Sequence, residues 1–391
     1  MASRKDNKGR VLRTGESQRK DGGYDFRYYD AKKKRHSVYA PTLNELRKKE
    51  AEIAALYSQG TKYAEGSTTV LDLVKRYLET KTGLSYNTQC SYNRVFNRVK
   101  ESPIANVYIR DLKTSEVKRW FTTLSKNGLS YWTIHQTKGV LSPAFDLAVE
   151  DEILTKNPFD FSLSKVVPVD SKPRHALTYH QQRDLLKAFK NHPTLAPRYD
   201  LMVILLGTGM RISEAVGLTM NDIDMEKRTI NINHQLIYHY QRGLYISPPK
   251  STSGYRLIPM SDAVYKAFQS VLEDRIFVTD EAEVDGLNGF VFLTKRGTPD
   301  YASLIQTALV NVVKDYNRSS PDEPLPRITP HILRHTFCTN MINSGVSVKQ
   351  VQYLMGHSTA TVTMNVYAHA MQEKSDDALI SAMNGISLRY A

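Results

Sequence analysis

Hydrophobic side chains recur along this chain with a period of two near its start and of three to four afterwards, and each change of period marks an expected element. Asp21-Gly22-Gly23 is a turn signal, and the run Tyr24-Asp25-Phe26-Arg27-Tyr28-Tyr29 that follows is rich in β-forming aromatics. Residues 30–34 would turn the chain and Arg35-His36-Ser37-Val38-Tyr39 would return it, with Val11-Leu12 as a third strand. From Pro41-Thr42 the spacing becomes helical, through Leu43, Leu46, Glu50, Ile53 and Leu56-Tyr57. Residues 1–20 read as a basic, poorly structured arm, so the expected first part is a small three-stranded sheet backed by one helix.

A polar hinge covers residues 60–69, and the pattern is mostly helical after it. One helix starts at Val70-Leu71-Asp72-Leu73-Val74, and others are expected over residues 87–99, 114–124 and 131–149. In the last of these Trp132, Ile134, Val140, Leu141, Phe145 and Ala148 form the predicted apolar stripe. Residues 165–175 read as an extended linker, because Pro168 and Pro173 disfavour helix. Thr178 then caps a helix through Lys190, residues 199–206 form the next, and strands are expected over 229–232, 235–240 and 244–246. From Ser261 helices resume, ending in one over residues 375–384. The predicted fold class is α+β and mainly helical, with a sheet-bearing domain over residues 1–66, a helical domain over 67–165 and a mixed, mostly α domain over 166–391. There is no internal repeat and no low-complexity segment.

Charge sharpens this division. The 391 residues carry a net +13, and residues 1–40 hold 12 basic against 5 acidic side chains. Residues 67–165 are basic by a further 4, whereas 166–391 exceed neutrality by only 2. A basic first half suggests a polyanion gripped from the N-terminal side, although a basic tail can also serve solubility alone. In the helical block Lys75, Arg76, Arg94, Arg98, Lys100, Lys118 and Arg119 alternate with apolar positions, which suits a DNA clamp as well as an ordinary solvated surface. Two cysteines, Cys90 and Cys338, are too few for a disulfide framework, and a reducing, cytoplasmic setting fits them. Met1-Ala2-Ser3-Arg4-Lys5-Asp6 has no apolar signal core and no run of about 18 apolar residues follows, so neither secretion nor a membrane span is expected.

Four separated pieces carry candidate chemistry. They are Thr208-Gly209-Met210-Arg211-Ile212-Ser213-Glu214, Pro248-Pro249-Lys250-Ser251-Thr252-Ser253-Gly254, Thr329-Pro330-His331-Ile332-Leu333-Arg334-His335, and Leu354-Met355-Gly356-His357 with Tyr367-Ala368-His369 ten residues on. Pro330 suits a first helical turn, which sets His331 and Arg334 one turn apart on a shared face. Two arginine forks, Arg211 and Arg334, match phosphate oxygens, and with no obvious acidic partner they call for an anion. A tyrosine is a poor nucleophile with its reference pKa of about 10, but cationic neighbours favour the phenolate. Lys250, before the tip of a loop, can hand a proton to a leaving oxygen, and this chemistry demands no metal and no cofactor.

Each residue also has a structural reading. Tyr367 is one of 23 tyrosines, Arg211 could pair with Glu214, Lys250 could be a solvated turn lysine, and His357 could terminate a helix. His331, His335 and Cys338 fall on a metal-like helical spacing but lack a fourth ligand.

Taken in order, Arg211, Lys250, His331, Arg334, His357 and Tyr367 with their flanking words resemble the tyrosine recombinase (phage integrase) family over residues 175–370. Residues 6–29 further resemble integrases of conjugative transposons. The resemblance implies a site-specific recombinase that excises and inserts a mobile element in the bacterial cytoplasm. The sheet domain would bind arm sites on double-stranded DNA, while the helical and catalytic domains would clamp the core site. Arg211, His331 and Arg334 would hold the scissile phosphate, Lys250 would be the general acid, and His357 would assist. Tyr367 would form a 3′-phosphotyrosine, in a homotetramer whose C-terminal segment, with Ala378, Leu379, Ile380, Ala382 and Met383, docks on a neighbour or packs in cis. An excisionase-type DNA-bending protein is an expected partner. Rival readings are a non-catalytic DNA-binding regulator, a type IB topoisomerase-like enzyme, and a double-stranded RNA-binding role for residues 1–60.

A phosphate-gripping chain should lose affinity for core DNA steeply as salt rises, each phosphate contact contributing about −0.9 to the slope of log affinity on log salt. Filter binding from low to moderate salt measures that slope, and a flat response would exclude the grip.

Overall fold

The computed structural model describes residues 4–29, 35–58, 68–170, 175–275, 281–361, 363, 364 and 366, with side chains left aside over 55–58. The chain divides into two compact units, residues 1–172 and 173–391.

The first unit opens with strands β1 (Glu16–Gln18), β2 (Tyr24–Tyr29) and β3 (Arg35–Ala40), an antiparallel sheet in that order, followed by helix α1 (Leu43–Ser58). Its register sets Phe26 against Val38 and Tyr24 against Ala40, and Tyr24, Ala40, Leu43 and Leu46 form a small apolar core. The expected third strand at Val11-Leu12 lies elsewhere: Val11 makes only an isolated bridge to Lys5, and β1 is the polar run Glu16-Ser17-Gln18. Polar residues suffice there because ion pairs anchor the strand. Glu16, buried, accepts from Arg47 of α1 at 2.9 Å, and Ser17 bonds Asp25. Glu50, which the spacing set on the apolar face of α1, lies beside Glu16, and its carboxyl is pushed up to about 7 by burial and by that neighbour.

The same unit contains α2 (Val70–Glu79), α3 (Tyr86–Lys100), α4 (Thr114–Lys126) and α5 (Tyr131–Glu150) around a second core. Ser85 and Ser130 cap α3 and α5, while α2 begins in a capping box of Thr69 and Asp72. Ile134, Val140, Leu141, Phe145 and Ala148 are buried as the stripe requires, but Trp132 is 57% exposed. Two residues before Ile134 a helix has turned by about 200°, so Trp132 faces the other way. Of the basic residues, Arg98 is half-buried and donates to Thr137 at 2.8 Å.

The second unit begins with α6 (Tyr179–Lys190), capped by Thr178, then α7 (Tyr199–Thr208) and the short α8 (Ile212–Ala215). Strands β4 (Ile223–Asp224), β5 (Thr229–Ile232) and β8 (Arg256–Pro259) make one antiparallel sheet, and β6 (Gln235–His239) with β7 (Gly243–Ser247) a hairpin. Helices α9 (Asp262–Arg275), α10 (Ala302–Ser319), α11 (Pro330–Asn343) and α12 (Val348–Met355) complete the unit. Its core joins α7, α9, α10 and the inward positions of β5 and β8. The architecture is α+β and mainly helical. The helix expected over 375–384 falls outside the described residues, and among those described no helix is long and apolar enough to cross a membrane.

Phe145 is fully buried with its ring 4.9 Å from Phe159. Phe145→Ala should destabilise the helical core by about 3–5 kcal/mol, the range for emptying a large aromatic site. Urea denaturation followed by circular dichroism checks this, and a loss under about 1 kcal/mol would contradict so tight a packing.

Candidate active site

Two helix ends and one loop shape the site. Helix α7 stops at Gly209, which takes the left-handed φ of +65°; a Cβ there would lie 2.3 Å from the Phe337 ring. Only glycine makes that turn at this distance, and its carbonyl is left free to accept from Arg334 Nη1 at 2.8 Å. The turn delivers Arg211 to the start of α8, where Glu214 accepts from the Arg211 backbone N–H at 2.9 Å and from Nη1 at 2.7 Å. Thr329 caps α11 with Pro330 in its first position, so His331 and Arg334 share a face as the sequence implied.

Lys250 is exposed on the connection between β7 and β8. Gln235 steadies the start of that connection by donating to the Pro248 carbonyl at 3.0 Å while accepting from Ser213 at 3.1 Å. Arg211, Glu214, Gln235, Lys250, Ser251, His331 and Arg334 line a single pocket of about 240 Å³.

Two of the lining arginines, Arg211 and Arg334, are held by the C-terminus of α12. Three successive carbonyls there each take a different arginine: Leu354 accepts from Arg256 Nε at 2.7 Å, Met355 from Arg334 Nη2, and Gly356 from Arg211 Nη2 at 3.1 Å. Helix C-termini carry partial negative charge and unsatisfied carbonyls, so this end suits cations. His357 follows directly, and its Nδ1 lies 2.9 Å from the Thr363 hydroxyl.

The sequence suggests two buried arginines with no obvious acidic partner, with a pairing of Arg211 to Glu214 as the alternative, and for Arg211 the alternative holds. Arg334 is buried, but its partners are carbonyls; the Arg211 side chain is 36% exposed and paired with Glu214. The residue the sequence reading missed is Arg256, whose side chain is wholly buried and donates to Glu214 from Nη2 at 2.8 Å. Arg256 alternates with Ile258 on the inward face of β8, and a charge at an inward strand position was the available signal.

Electrostatics follow the crowding. Burial, then the nearby Arg211 and Arg256 charges, hold Arg334 down to about 9, still cationic at neutral pH. His357 falls from its ordinary 6.5 to about 4, through burial and then the Arg334, Arg211 and Arg256 charges. Burial alone would raise the Glu214 carboxyl, but its bonds to Arg256 and the charge of Arg211 outweigh this and hold it below its usual range. Tyr367 lies outside the described residues. Among the described residues no group of three His, Cys, Asp or Glu side chains converges as metal ligands would, His331, His335 and Cys338 included.

Residues 175–374 match the phage integrase family, and residues 1–56 match the DNA-binding domain of Tn916 integrase. The transposase from transposon Tn1545 of Streptococcus agalactiae is 39% identical over 94% of this chain and 93% of its own length. The transposase from transposon Tn916 of Enterococcus faecalis is likewise 39% identical over the same shares. Among solved structures, the Tn1549 transposon integrase in complex with transposon right-end DNA is similar, with a TM-score of 0.76 and 37% identity over 82% of this chain and 99% of that one.

Because the folded site protonates His357 less readily than the unfolded chain does, the His357 contribution to stability should be whole above about pH 6.5 and be lost as pH drops toward 4. Glu50 of the first unit, raised to about 7, acts in the opposite sense over this window. Glu214, held below its ordinary 4.5, contributes only under that value. Urea midpoints across this window should therefore slope less in His357→Gln than in the parent; equal slopes would refute the assignment.

Proposed function

This chain belongs to the phage integrase family, the tyrosine recombinases, and from that premise we propose that Arg211, His331 and Arg334 grip a scissile DNA phosphate which Tyr367 attacks. Site-specific DNA recombination through a phosphotyrosine link is the activity of this chain. What supports the residue assignment is the convergence of Arg211, Lys250, His331 and Arg334, drawn from three separated segments, on one pocket.

The chemistry balances without further reactants. Tyr367 releases its phenolic proton to solvent as its oxygen bonds to phosphorus, the bond from phosphorus to the 5′ oxygen breaks, and the Lys250 ammonium gives that oxygen a proton, so one proton is released and one taken up. A free 5′-hydroxyl and a 3′-phosphotyrosine result, and attack by another strand's 5′-hydroxyl reverses the step. The bond energy is kept in the adduct, so rejoining needs no external energy source. Guanidinium donors stabilise the charge gathering on the phosphorane oxygens, an effect of about 3 kcal/mol per donor on the oxyanion-hole scale. His357, neutral at pH 7, assists as a hydrogen-bonding group rather than as a further cation.

The working parts would be an arm-binding domain over residues 1–66, a core-binding domain over 67–165 and the catalytic domain over 166–391. Four protomers would assemble on the DNA in the bacterial cytoplasm, with the segment after Tyr367 bridging neighbours or packing in cis. The Tn1549 integrase structures hold transposon-end and circular-intermediate DNA, and a mobile element's ends and circular form are the substrates proposed here. An excisionase-type bending protein would bias the direction.

A suicide substrate that traps the covalent adduct tests this. The parent should yield a protein–DNA band that Tyr367→Phe abolishes, while Arg334→Ala, if its melting shows it folded, should bind core DNA yet cleave at least about a hundredfold more slowly. A band that persists in Tyr367→Phe would reject the assignment.

A further inference from the structure

Arg256 lies outside the six residues given roles above, yet it touches three of the segments that supply them. Its Nε donates to Leu354 at the end of α12, its Nη1 to the Gly254 carbonyl at 3.0 Å and to Glu214 Oε1 at 3.3 Å, and its Nη2 to Glu214 Oε2. The Gly254 carbonyl belongs to the connection that bears Lys250, Glu214 holds Arg211, and Leu354 lies three residues before His357. The packing around it is close: a Cβ on Gly356 would come 2.9 Å from Arg256 Nη1.

We propose that Arg256 is a positioning residue for strand cleavage, fixing the Lys250 connection, the Glu214–Arg211 pair and the end of α12 in one register. This rests on the catalytic reading above. Arg256 reaches the reacting atoms only through these neighbours. A rigid planar fork with five donors can serve three acceptor groups at fixed angles, which an ammonium on a flexible stem cannot do. Glu214 is faced by Arg211 from the turn before its own helix and by Arg256 from β8, with Arg334 of α11 and His357 after α12 close by. Without Arg256 the buried carboxylate keeps Arg211 as its bonded cation and takes up a proton more readily, which loosens its hold on Arg211.

The test uses the full chain, a suicide core-site DNA and two variants. Arg256→Lys keeps the charge and loses the fork; it should melt and bind DNA like the parent but cleave about a hundredfold more slowly at saturating DNA, the scale of a misplacement of about 1 Å. Arg256→Gln should in addition lose cleavage on the acid side of neutrality, where the parent is unaffected. Parent-like cleavage in Arg256→Lys, or a fall in cleavage that only tracks lost folding and binding, overturns the proposal. If neither variant folds, Arg256→Met with Glu214→Leu replaces the buried pair by apolar side chains, an exchange such sites often tolerate. Loss of cleavage in that double variant, folded and DNA-bound, supports the proposal, and normal cleavage overturns it. Tyr367→Phe separates the two levels: if the adduct persists there the catalytic reading itself fails, whereas an adduct lost there but formed normally in Arg256→Lys sinks only the positioning role.

Discussion

Three guanidinium groups, Arg211, Arg256 and Arg334, crowd around one carboxylate, Glu214, and the rest of the second unit is arranged to tolerate that imbalance. Like charges at such range repel, and burial removes the water that would screen them. Burial first, and this repulsion second, lower the pKa of both Arg334 and His357.

What lets the crowd persist is backbone. Leu354, Met355 and Gly356 offer consecutive carbonyls at the C-terminal end of α12, and Gly209 offers another at the end of α7. These groups would otherwise be orphaned helix carbonyls, so one need meets the other. Both helices must therefore end on a left-handed residue, at Gly209 and at Gly356. The words Thr208-Gly209-Met210-Arg211 and Met355-Gly356-His357 thus have a physical cause, since each couples a helix stop to an arginine.

The helices of both units were legible because their apolar stripes repeat over many turns, helped by an explicit cap in Thr178 before α6. The hairpin strands β2 and β3 were legible through their aromatics. Strand β1 was misplaced because Val11-Leu12 carries more β preference than Glu16-Ser17-Gln18, and the ion pair from Arg47, thirty-one residues on, overrides that preference. Strand β8 went unseen because one of its two inward positions is Arg256, which breaks the apolar alternation. Of the site, Arg211, Lys250, His331 and Arg334, which line one pocket, could be named from their motifs. The pairing of Glu214 with Arg256 could not, because nothing local joins residues forty-two apart.

Burial also divides the labour among the cations. Arg334 and Arg256 are buried and tied to carbonyls or to Glu214, so neither can travel with a proton, and an arginine does not give one up near neutral pH. Such groups suit holding a phosphate at one position. Lys250 is exposed on a connection between strands, and under the proposed mechanism its flexible stem would let the ammonium approach a leaving oxygen once that oxygen is placed. A proton donor fixed as firmly as Arg334 would have to suit both the bound phosphodiester and the departing hydroxyl in one geometry. The connection is anchored at its two ends, through Gln235 to Pro248 and through Arg256 to Gly254, while the Lys250 side chain between them stays exposed, as the proposed proton donor requires.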